Sequence, residues 1–271
     1  MLKTRMQDRP IKDRSTAYAV RLAKDARDLR AAQRLRYAVF VEELGALCTD
    51  ADHVARLERD ALDEVFDHLL LIDSDADPDT LDHVVGVYRL LPHERALALG
   101  RFYSDAEYDL APLRSSGRRL VELGRSCVHP AHRKGAAMLH LWNALAAYVS
   151  ERQLEILFGV ASFPGSDPAQ HAAALSWLRA HHLAPDALRV RVRPGPQAQR
   201  MDLIDPARID RAEAMAAVPP LIRAYLRLGG FVGEGAFVDH DFNTTDVCLI
   251  VDTSAMSERA IDFYSRKTPR P

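Results

Sequence analysis

Glu122 and Arg125 are the two charged residues whose spacing best fits proton handling beside a substrate. They lie in residues 120–128, an apolar and β-branched segment that predicts a strand ending before Pro130. Residues three apart in a regular strand point to opposite faces, so both side chains reach one pocket only if the strand slips. Gly124, between them, predicts a β-bulge whose free backbone N–H groups can donate to a substrate carbonyl. An ordinary interstrand ion pair is the alternative.

A helix is predicted directly after this strand, because apolar residues recur at helical spacing over residues 131–152. The junction aims unpaired N–H groups and the positive end of the helix dipole beyond the strand, an arrangement that suits phosphate. Arg133 and Lys134 add cations there, and Gly135 lets a ligand approach the backbone closely. The alternative is that both cations are solvated and that Gly135 fills a crowded position.

The remaining pattern predicts a mixed α/β sheet with helices on its faces. Further strands are predicted at 17–23, 68–73, 84–91, 155–161, 188–193, 236–239 and 246–251, and further helices at 25–43, 165–182 and 219–228. The continuous apolar segment 155–161 is typical of an interior strand, and the connecting helix makes it parallel to 120–128. We predict a flexible arm at 1–16 and one domain over 17–265, with an extra helical segment at about 200–235.

Composition argues against several kinds of protein. The formal net charge of -2 gives no support to general nucleic-acid binding, and no segment approaches the ~20 apolar residues of a membrane span. The three cysteines are far apart and lack C-x-x-C spacing, so neither a disulfide framework nor a metal site is expected, and a reducing cytoplasm is the default. The basic start of the chain suits an acidic carrier or anionic lipid, with a solvated face as the alternative.

The bulged strand, the phosphate-binding helix start and the following parallel strand resemble the Gcn5-related N-acetyltransferase (GNAT) fold. That superfamily shows Gln or Arg, two residues, Gly, one residue and then Gly or Ala before its helix. Here His132, Gly135 and Ala137 take those places, and only the last two match. The resemblance implies a mixed sheet with a bulged central strand. It also implies that a pantetheine phosphate binds at His132, Arg133, Lys134, Gly135 and Ala136.

Seven ordered segments resemble one branch of that superfamily, the L-ornithine Nα-acyltransferases. They are LRYAVFVEELGA (35–46), DEVFDHL (63–69), VVGVYRLL (84–91), ELGRSCVHPAHR (122–133), LFGVASFPGSDP (157–168), PPLIRAYLRLGG (219–230) and DHDFNTTDV (239–247). The resemblance implies transfer of a 3-hydroxyacyl chain from acyl carrier protein to the α-amine of ornithine, giving lyso-ornithine lipid in the first step of bacterial ornithine-lipid synthesis. The co-substrate is then an acyl-phosphopantetheine thioester, and no separate cofactor is expected. A cytoplasmic enzyme with peripheral contact to an anionic inner membrane fits this role.

The chain also resembles the acyl-homoserine-lactone synthases, though more distantly than the ornithine acyltransferases, and it shares seven charged or aromatic positions with them. Those positions are Arg36, Phe40, Asp63, Asp67, Arg89, Glu122 and Arg125. All but Glu122 become candidates for substrate binding, the arginines for the acceptor's carboxylate and Asp63 or Asp67 for its side-chain ammonium. A structural ion-pair network is the alternative for each. The synthases' tryptophan is absent near Leu44, which argues against adenosylmethionine as the acceptor.

A thioester is already activated, so under this resemblance an amine can attack it without a covalent enzyme intermediate. We expect Glu122 to remove the amine's proton, directly or through water, and N–H groups around Ser126, Cys127 and Val128 to polarise the carbonyl. Replacing Glu122 by glutamine is then expected to leave folding intact and to slow transfer by roughly tenfold or more. Simple alternation gives Cys127 the same face as apolar neighbours, which favours a buried structural cysteine over a nucleophile.

Other functions stay open from the sequence. They include an N-acyltransferase for lysine or glycine, an acyl-homoserine-lactone synthase, a catalytically inactive acyl-carrier-binding regulator and a haemolysin-like, membrane-active protein. The last of these needs an amphipathic membrane-inserting segment, and the sequence offers none.

Overall fold

A computed structural model describes residues 18–134 and 136–256. The predicted arm at 1–16, Gly135 and the last nine residues of the predicted domain lie outside these ranges. The described strands are Tyr18–Leu22 (β1), Asp67–Asp73 (β2), Val84–Pro92 (β3), Tyr108–Asp109 (β4), Leu120–Val128 (β5), Ile156–Pro164 (β6), Arg191–Val192 (β7), Ala198–Gln199 (β8), Phe231–Val232 (β9), Ala236–Asp239 (β10) and Thr244–Asp252 (β11). Nine of them form one mixed sheet in the order β1-β2-β3-β5-β6-β11-β10-β8, with β9 paired to β11.

Helices flank this sheet. The described α-helices are Ala26–Arg36 (α1), Asp50–Ala55 (α2), His93–Leu99 (α3), Ala111–Ser115 (α4), Ala137–Glu151 (α5), Ala172–His182 (α6), Arg211–Ala217 (α7) and Pro220–Arg227 (α8). A π-helix, Tyr37–Glu43, continues α1. Short 3-10 turns are Pro78–Thr80, Tyr103–Ala106, Pro130–His132, Pro168–His171, Pro206–Arg208 and Thr253–Ala255. The α/β class and the flanking helices predicted from the sequence are confirmed.

The parallel pairing predicted for β5 and β6 is confirmed, and it covers only the first part of each strand. Leu120, Val121 and Glu122 pair with Ile156, Leu157 and Phe158. Beyond these residues β6 pairs with β11 alone, so β5 and β6 separate. β6 lies between β5 and β11, the interior position that its unbroken apolar sequence predicted.

The predicted bulge in β5 is present, one residue later than expected. Val87 of β3 pairs with Cys127 and Arg89 pairs with Gly124, so the single residue Tyr88 of β3 lies opposite two residues of β5, Arg125 and Ser126. Arg125 carries the irregular backbone with φ 48°, whereas Gly124 shows no positive φ. A non-glycine residue in this region is held by its surroundings, and Arg125 is held by side-chain contacts described below. The expectation that glycine would host the bulge was therefore wrong.

The crossover helix begins later than the sequence predicted, at Ala137 instead of residue 131. Pro130 starts a 3-10 turn, and the His129 ring accepts a hydrogen bond from the Ala131 N–H at 3.3 Å. This local side-chain bond competes with a regular helical turn. The predicted strand at 188–193 likewise shrinks to β7, which pairs with β4 in a separate two-stranded sheet.

Two apolar cores lie on opposite faces of the sheet, as alternation along the strands requires. Val121 and Leu123 of β5 join the core beneath α5, α6 and α8, whereas Leu120 joins the core on the other face. In the described part of the chain, no helix combines the length and the apolar content needed to cross a membrane.

Candidate active site

A cavity of about 240 Å³ opens where β5 and β6 separate. Gly159 marks the point of separation, because a Cβ built on it would lie 2.1 Å from the Leu123 carbonyl oxygen. Only a glycine lets the two backbones approach this closely. Side chains from both faces of the sheet line the cavity, so it connects an apolar end with a polar end. The apolar end comprises Leu123, Leu157, Leu221, Tyr225, Leu249 and Val251, and the polar end comprises Arg89, Tyr103, Glu122, Arg125, Asp239 and Asp246.

The bulge brings Arg125 and Glu122 to this one cavity. The Arg125 guanidinium lies 4.2 Å from the centre of the Phe242 ring and 5.1 Å from that of Tyr103, a cation–π arrangement. Its Nε also donates to Glu58 at 3.3 Å. These contacts fix the left-handed backbone of Arg125 and hold a cation at the polar end.

A buried ion network lies behind Arg125. Arg36 is fully buried and donates to Glu58 and to Asp63, the latter at 2.5 Å. Arg89 donates to Asp60 and, at 3.0 Å, to Asp63. Burial alone raises the pKa of Asp63, but Arg36 and a Gln33 donor outweigh it and hold that pKa well below its usual range. Both oxygens of Asp63 therefore already accept hydrogen bonds within the protein, which favours a structural ion-pair network over binding of the substrate's ammonium.

Glu122 is 1% exposed, and three donors converge on its carboxylate. The backbone N–H groups of Tyr103 and Ser104 donate at 2.6 Å, and the Ser104 hydroxyl donates at 2.5 Å. Burial raises the pKa of Glu122, and it outweighs the opposing effect of the Ser104 and Tyr103 donors. A raised pKa suits a general base, and the donors also give this carboxylate a structural role that the sequence did not predict.

Two further candidates, Phe40 and Ser126, line the cavity. Phe40 meets Phe242 edge to face, with 6.1 Å between ring centres. Ser126 belongs to the bulge, and neither it nor Arg125 has a register partner on β3. The adjacent Tyr88 hydroxyl lies 2.6 Å from the Tyr225 hydroxyl.

Two candidates lie elsewhere. Asp67 accepts a hydrogen bond from Tyr148 and pairs with Arg95, each at 2.8 Å, outside the cavity lining. Cys127 packs in the apolar cluster beneath α1, and burial raises the pKa of its thiol to about 12. A thiol of that pKa is not ionised at neutral pH, which favours the structural interpretation.

The candidate phosphate-binding turn is separate from the cavity lining. Arg133 donates to both oxygens of Glu43 at 2.6 Å and to the Val128 carbonyl at 2.9 Å. His132 bonds the Tyr18 hydroxyl at 2.8 Å, Lys134 is exposed, and Ala136 is half-buried. A phosphate at this turn must compete with Glu43 for Arg133.

Sequence reasoning missed a group of three carboxylates at the polar end. Oxygens of Glu107, Asp239 and Asp246 lie within 4.8 Å of one another. Burial raises the pKa of Asp246 to about 6, and burial together with Asp246 raises the pKa of Glu107 well above its usual value. The segment 239–247 contains two of the three, but Glu107 falls in a predicted loop, so no local pattern joins them.

Comparisons with known proteins agree with this architecture. Residues 35–143 match the acetyltransferase (GNAT) domain family. An L-ornithine N(alpha)-acyltransferase of Rhodobacter capsulatus is 62% identical over 93% of this chain and 96% of that protein. Another, of Agrobacterium fabrum, is 40% identical over 92% of this chain and 86% of that protein. The crystal structure of TofI in a ternary complex with an inhibitor and MTA covers 90% of this chain and 96% of that chain, with TM-score 0.50 and 18% identity. This last similarity supports the fold.

Proposed function

Because the chain belongs to the L-ornithine Nα-acyltransferase family, we propose that it transfers a 3-hydroxyacyl chain from acyl carrier protein to the α-amine of L-ornithine. The donor is the carrier's phosphopantetheine thioester, and the product is lyso-ornithine lipid, in the first step of ornithine-lipid synthesis. We expect this reaction in the cytoplasm, with peripheral contact to the anionic inner membrane.

The cavity between β5 and β6 is the observation that carries the proposal. Its apolar end can take a lipid-like acyl chain, and its polar end holds charged groups suited to an amino acid. Such a passage lets two substrates of opposite polarity approach from different faces of the sheet and meet at the thioester carbon. Holding both reactants in one geometry is itself worth several powers of ten in rate.

The residues at the meeting point give the reaction its proton path. Glu122 removes a proton from the α-ammonium, directly or through water, and the free amine attacks the thioester carbon. The C–N bond forms, and backbone N–H groups of the bulge near Ser126 stabilise the oxyanion. The C–S bond then breaks, the nitrogen passes its second proton to the pantetheine sulfur, which leaves as a thiol, and Glu122 returns the first proton to solvent. We expect Arg125, which lines the same cavity, to bind the acceptor's carboxylate.

A direct assay tests the proposal. The purified protein is incubated with 3-hydroxyacyl carrier protein and, in separate reactions, ornithine, lysine, glycine, homoserine or adenosylmethionine, and products are identified by mass. We expect Nα-acylornithine as the main product. A parallel reaction with the matching coenzyme A thioester identifies the donor. Acyl transfer to another amine in preference to ornithine, or no transfer at all, contradicts the proposal.

A further inference from the structure

The three carboxylates at the polar end come from separate parts of the fold. Glu107 follows the turn Tyr103–Ala106, Asp239 ends β10, and Asp246 lies in β11 opposite Ser162 of β6. Asp239, Asp246 and Ser162 line the cavity that Glu122 and Arg125 also line. Asp239 and Asp246 therefore face the space proposed for the acceptor, and an oxygen of Glu107 lies within 4.8 Å of an oxygen of each. We call these three carboxylates the acidic triad.

The protein uses only part of the hydrogen-bonding capacity of the acidic triad. Asp239 Oδ1 accepts from the backbone N–H groups of Asp241 at 2.9 Å and Phe242 at 3.0 Å. Glu107 and Asp246 are each 4% exposed, and Glu107 Oε2 and Asp246 Oδ1 are buried without a hydrogen-bond partner. Across residues 18–134 and 136–256, no lysine, arginine or histidine forms an ion pair with any of the three. Buried acceptors of this kind are uncommon, because each costs free energy unless a ligand satisfies it.

We propose that the acidic triad binds the side-chain ammonium of the acceptor, and so makes the enzyme selective for α,ω-diamino acids. This inference rests on the proposed function. A primary ammonium has three N–H donors and no acceptor, which matches three carboxylates. Three atoms at most 4.8 Å apart share a centre within 4.8/√3, about 2.8 Å, of each of them. A nitrogen at that centre would therefore be no farther from each oxygen than the usual length of a charge-assisted N–H···O hydrogen bond.

Other carboxylates near the site are already engaged. Asp63 accepts from Arg36, Arg89 and Gln33, and Asp67 is bonded to Tyr148 and Arg95 away from the cavity. A divalent metal ion is the competing occupant of the acidic triad. Calcium takes six to eight oxygen ligands and magnesium an octahedral set, so a metal would draw on several waters beside these three side chains.

The experiment compares ornithine with norvaline, which has the same carbon chain and lacks the side-chain amine. With one acyl carrier thioester, kcat/KM is measured for both acceptors in the wild type, Asp246→Asn and Glu107→Gln. We expect the wild type to prefer ornithine by on the order of 10²-fold or more, since norvaline leaves buried charges unpaired. Each variant should lower kcat/KM for ornithine by roughly tenfold or more and leave norvaline within about twofold. Asp79→Asn, which alters a carboxylate that is 84% exposed, is the matched control.

Binding measurements separate this inference from the proposed function. Calorimetry of the wild type and of the two variants uses ornithine, norvaline, calcium and magnesium, each alone. The inference predicts ornithine binding that is weakened in both variants and weak norvaline binding throughout. It is overturned if folded variants lose both acceptors equally, or if calcium or magnesium binds the wild type and chelation stops transfer to both. If the wild type acylates no amine, the proposed function fails, and the calorimetric comparison still decides whether the acidic triad recognises an ammonium.

Discussion

Replacing Glu122 by glutamine separates the two roles that the structure gives this carboxylate. Its oxygens accept hydrogen bonds from the backbone N–H groups of Tyr103 and Ser104 and from the Ser104 hydroxyl. A glutamine can keep its oxygen toward the two Ser104 donors, but its NH₂ group then faces the Tyr103 N–H. The variant therefore loses one hydrogen bond to a charged acceptor and leaves the partly buried Tyr103 N–H unsatisfied.

The cost follows from these contacts. Hydrogen bonds to charged groups contribute about 1.5–3 kcal/mol, and an unsatisfied buried donor costs about 1–3 kcal/mol. Part of this is offset, because the variant no longer buries a charge at a position 1% exposed. We expect Glu122→Gln to lower the free energy of unfolding by about 2–4 kcal/mol, in contrast to the intact folding expected from the sequence. With an m value of about 3 kcal/mol/M, the urea midpoint falls by about 1 M.

Acyl transfer by the same variant is measured without urea, at a temperature where the variant is fully folded. Loss of a general base should slow transfer by about 10²-fold or more. Ser104→Ala is the matched control, because it removes one donor and keeps both backbone donors. We expect it to cost about 1 kcal/mol and to change transfer less than about threefold. If Glu122→Gln is as stable as the wild type, the three hydrogen bonds to the Glu122 carboxylate do not stabilise the fold as proposed. If its turnover is unchanged, Glu122 is not the general base. An equal loss of turnover in Ser104→Ala shows that loop position, not proton transfer, is being measured.

Two further predictions concern the cavity walls. Gly159→Ala places a Cβ 2.1 Å from the Leu123 carbonyl oxygen, so β5 and β6 must shift. We expect the free energy of unfolding, measured in urea, to fall by about 3 kcal/mol and acyl transfer to be lost. Gly195→Ala is the control, because a Cβ there meets nothing within 4 Å, and it should change the free energy of unfolding by less than about 0.5 kcal/mol. Asp246 has its pKa raised to about 6, so the folded protein binds this proton more tightly than the unfolded chain does, and the associated stability is full below about pH 4 and is lost as pH rises through about 6. We therefore expect Asp246→Asn to gain about 2–3 kcal/mol over the wild type between pH 4.5 and 7.5, whereas parallel stability curves would contradict the raised pKa.

Much of the sheet could be predicted because local pattern and tertiary position agree there. The apolar run of β5 ends at a proline, and its predicted bounds match the structure. The continuous apolar run of β6 predicted its interior place, and the connecting helix predicted its parallel pairing. In each case the residues that define the element lie within it.

The errors arise where distant residues decide the outcome. Glycine is the default host for an irregular backbone, yet Arg125 adopts φ 48° because Glu58 and two aromatic rings hold its side chain. Phosphate binding at Arg133 stays a prediction, and sequence reasoning did not anticipate that Glu43, ninety residues earlier, bonds both arms of its guanidinium. Partners this far apart in the chain leave no periodic signal for sequence reasoning to find.

Charge distribution explains why the acidic triad matters to the whole site. On one side of the cavity three arginines face three carboxylates, namely Arg36, Arg89 and Arg125 with Glu58, Asp60 and Asp63. That side is close to neutral. On the other side the acidic triad has no cation bonded to it in the described residues, so the polar end carries excess negative charge at neutral pH. A diamino acid brings a net positive charge and relieves this excess, whereas a neutral amino acid does not. The proposed selectivity for such an acceptor and the lower stability expected of the empty protein at neutral pH both depend on the same buried carboxylates, so Asp246→Asn should change both together.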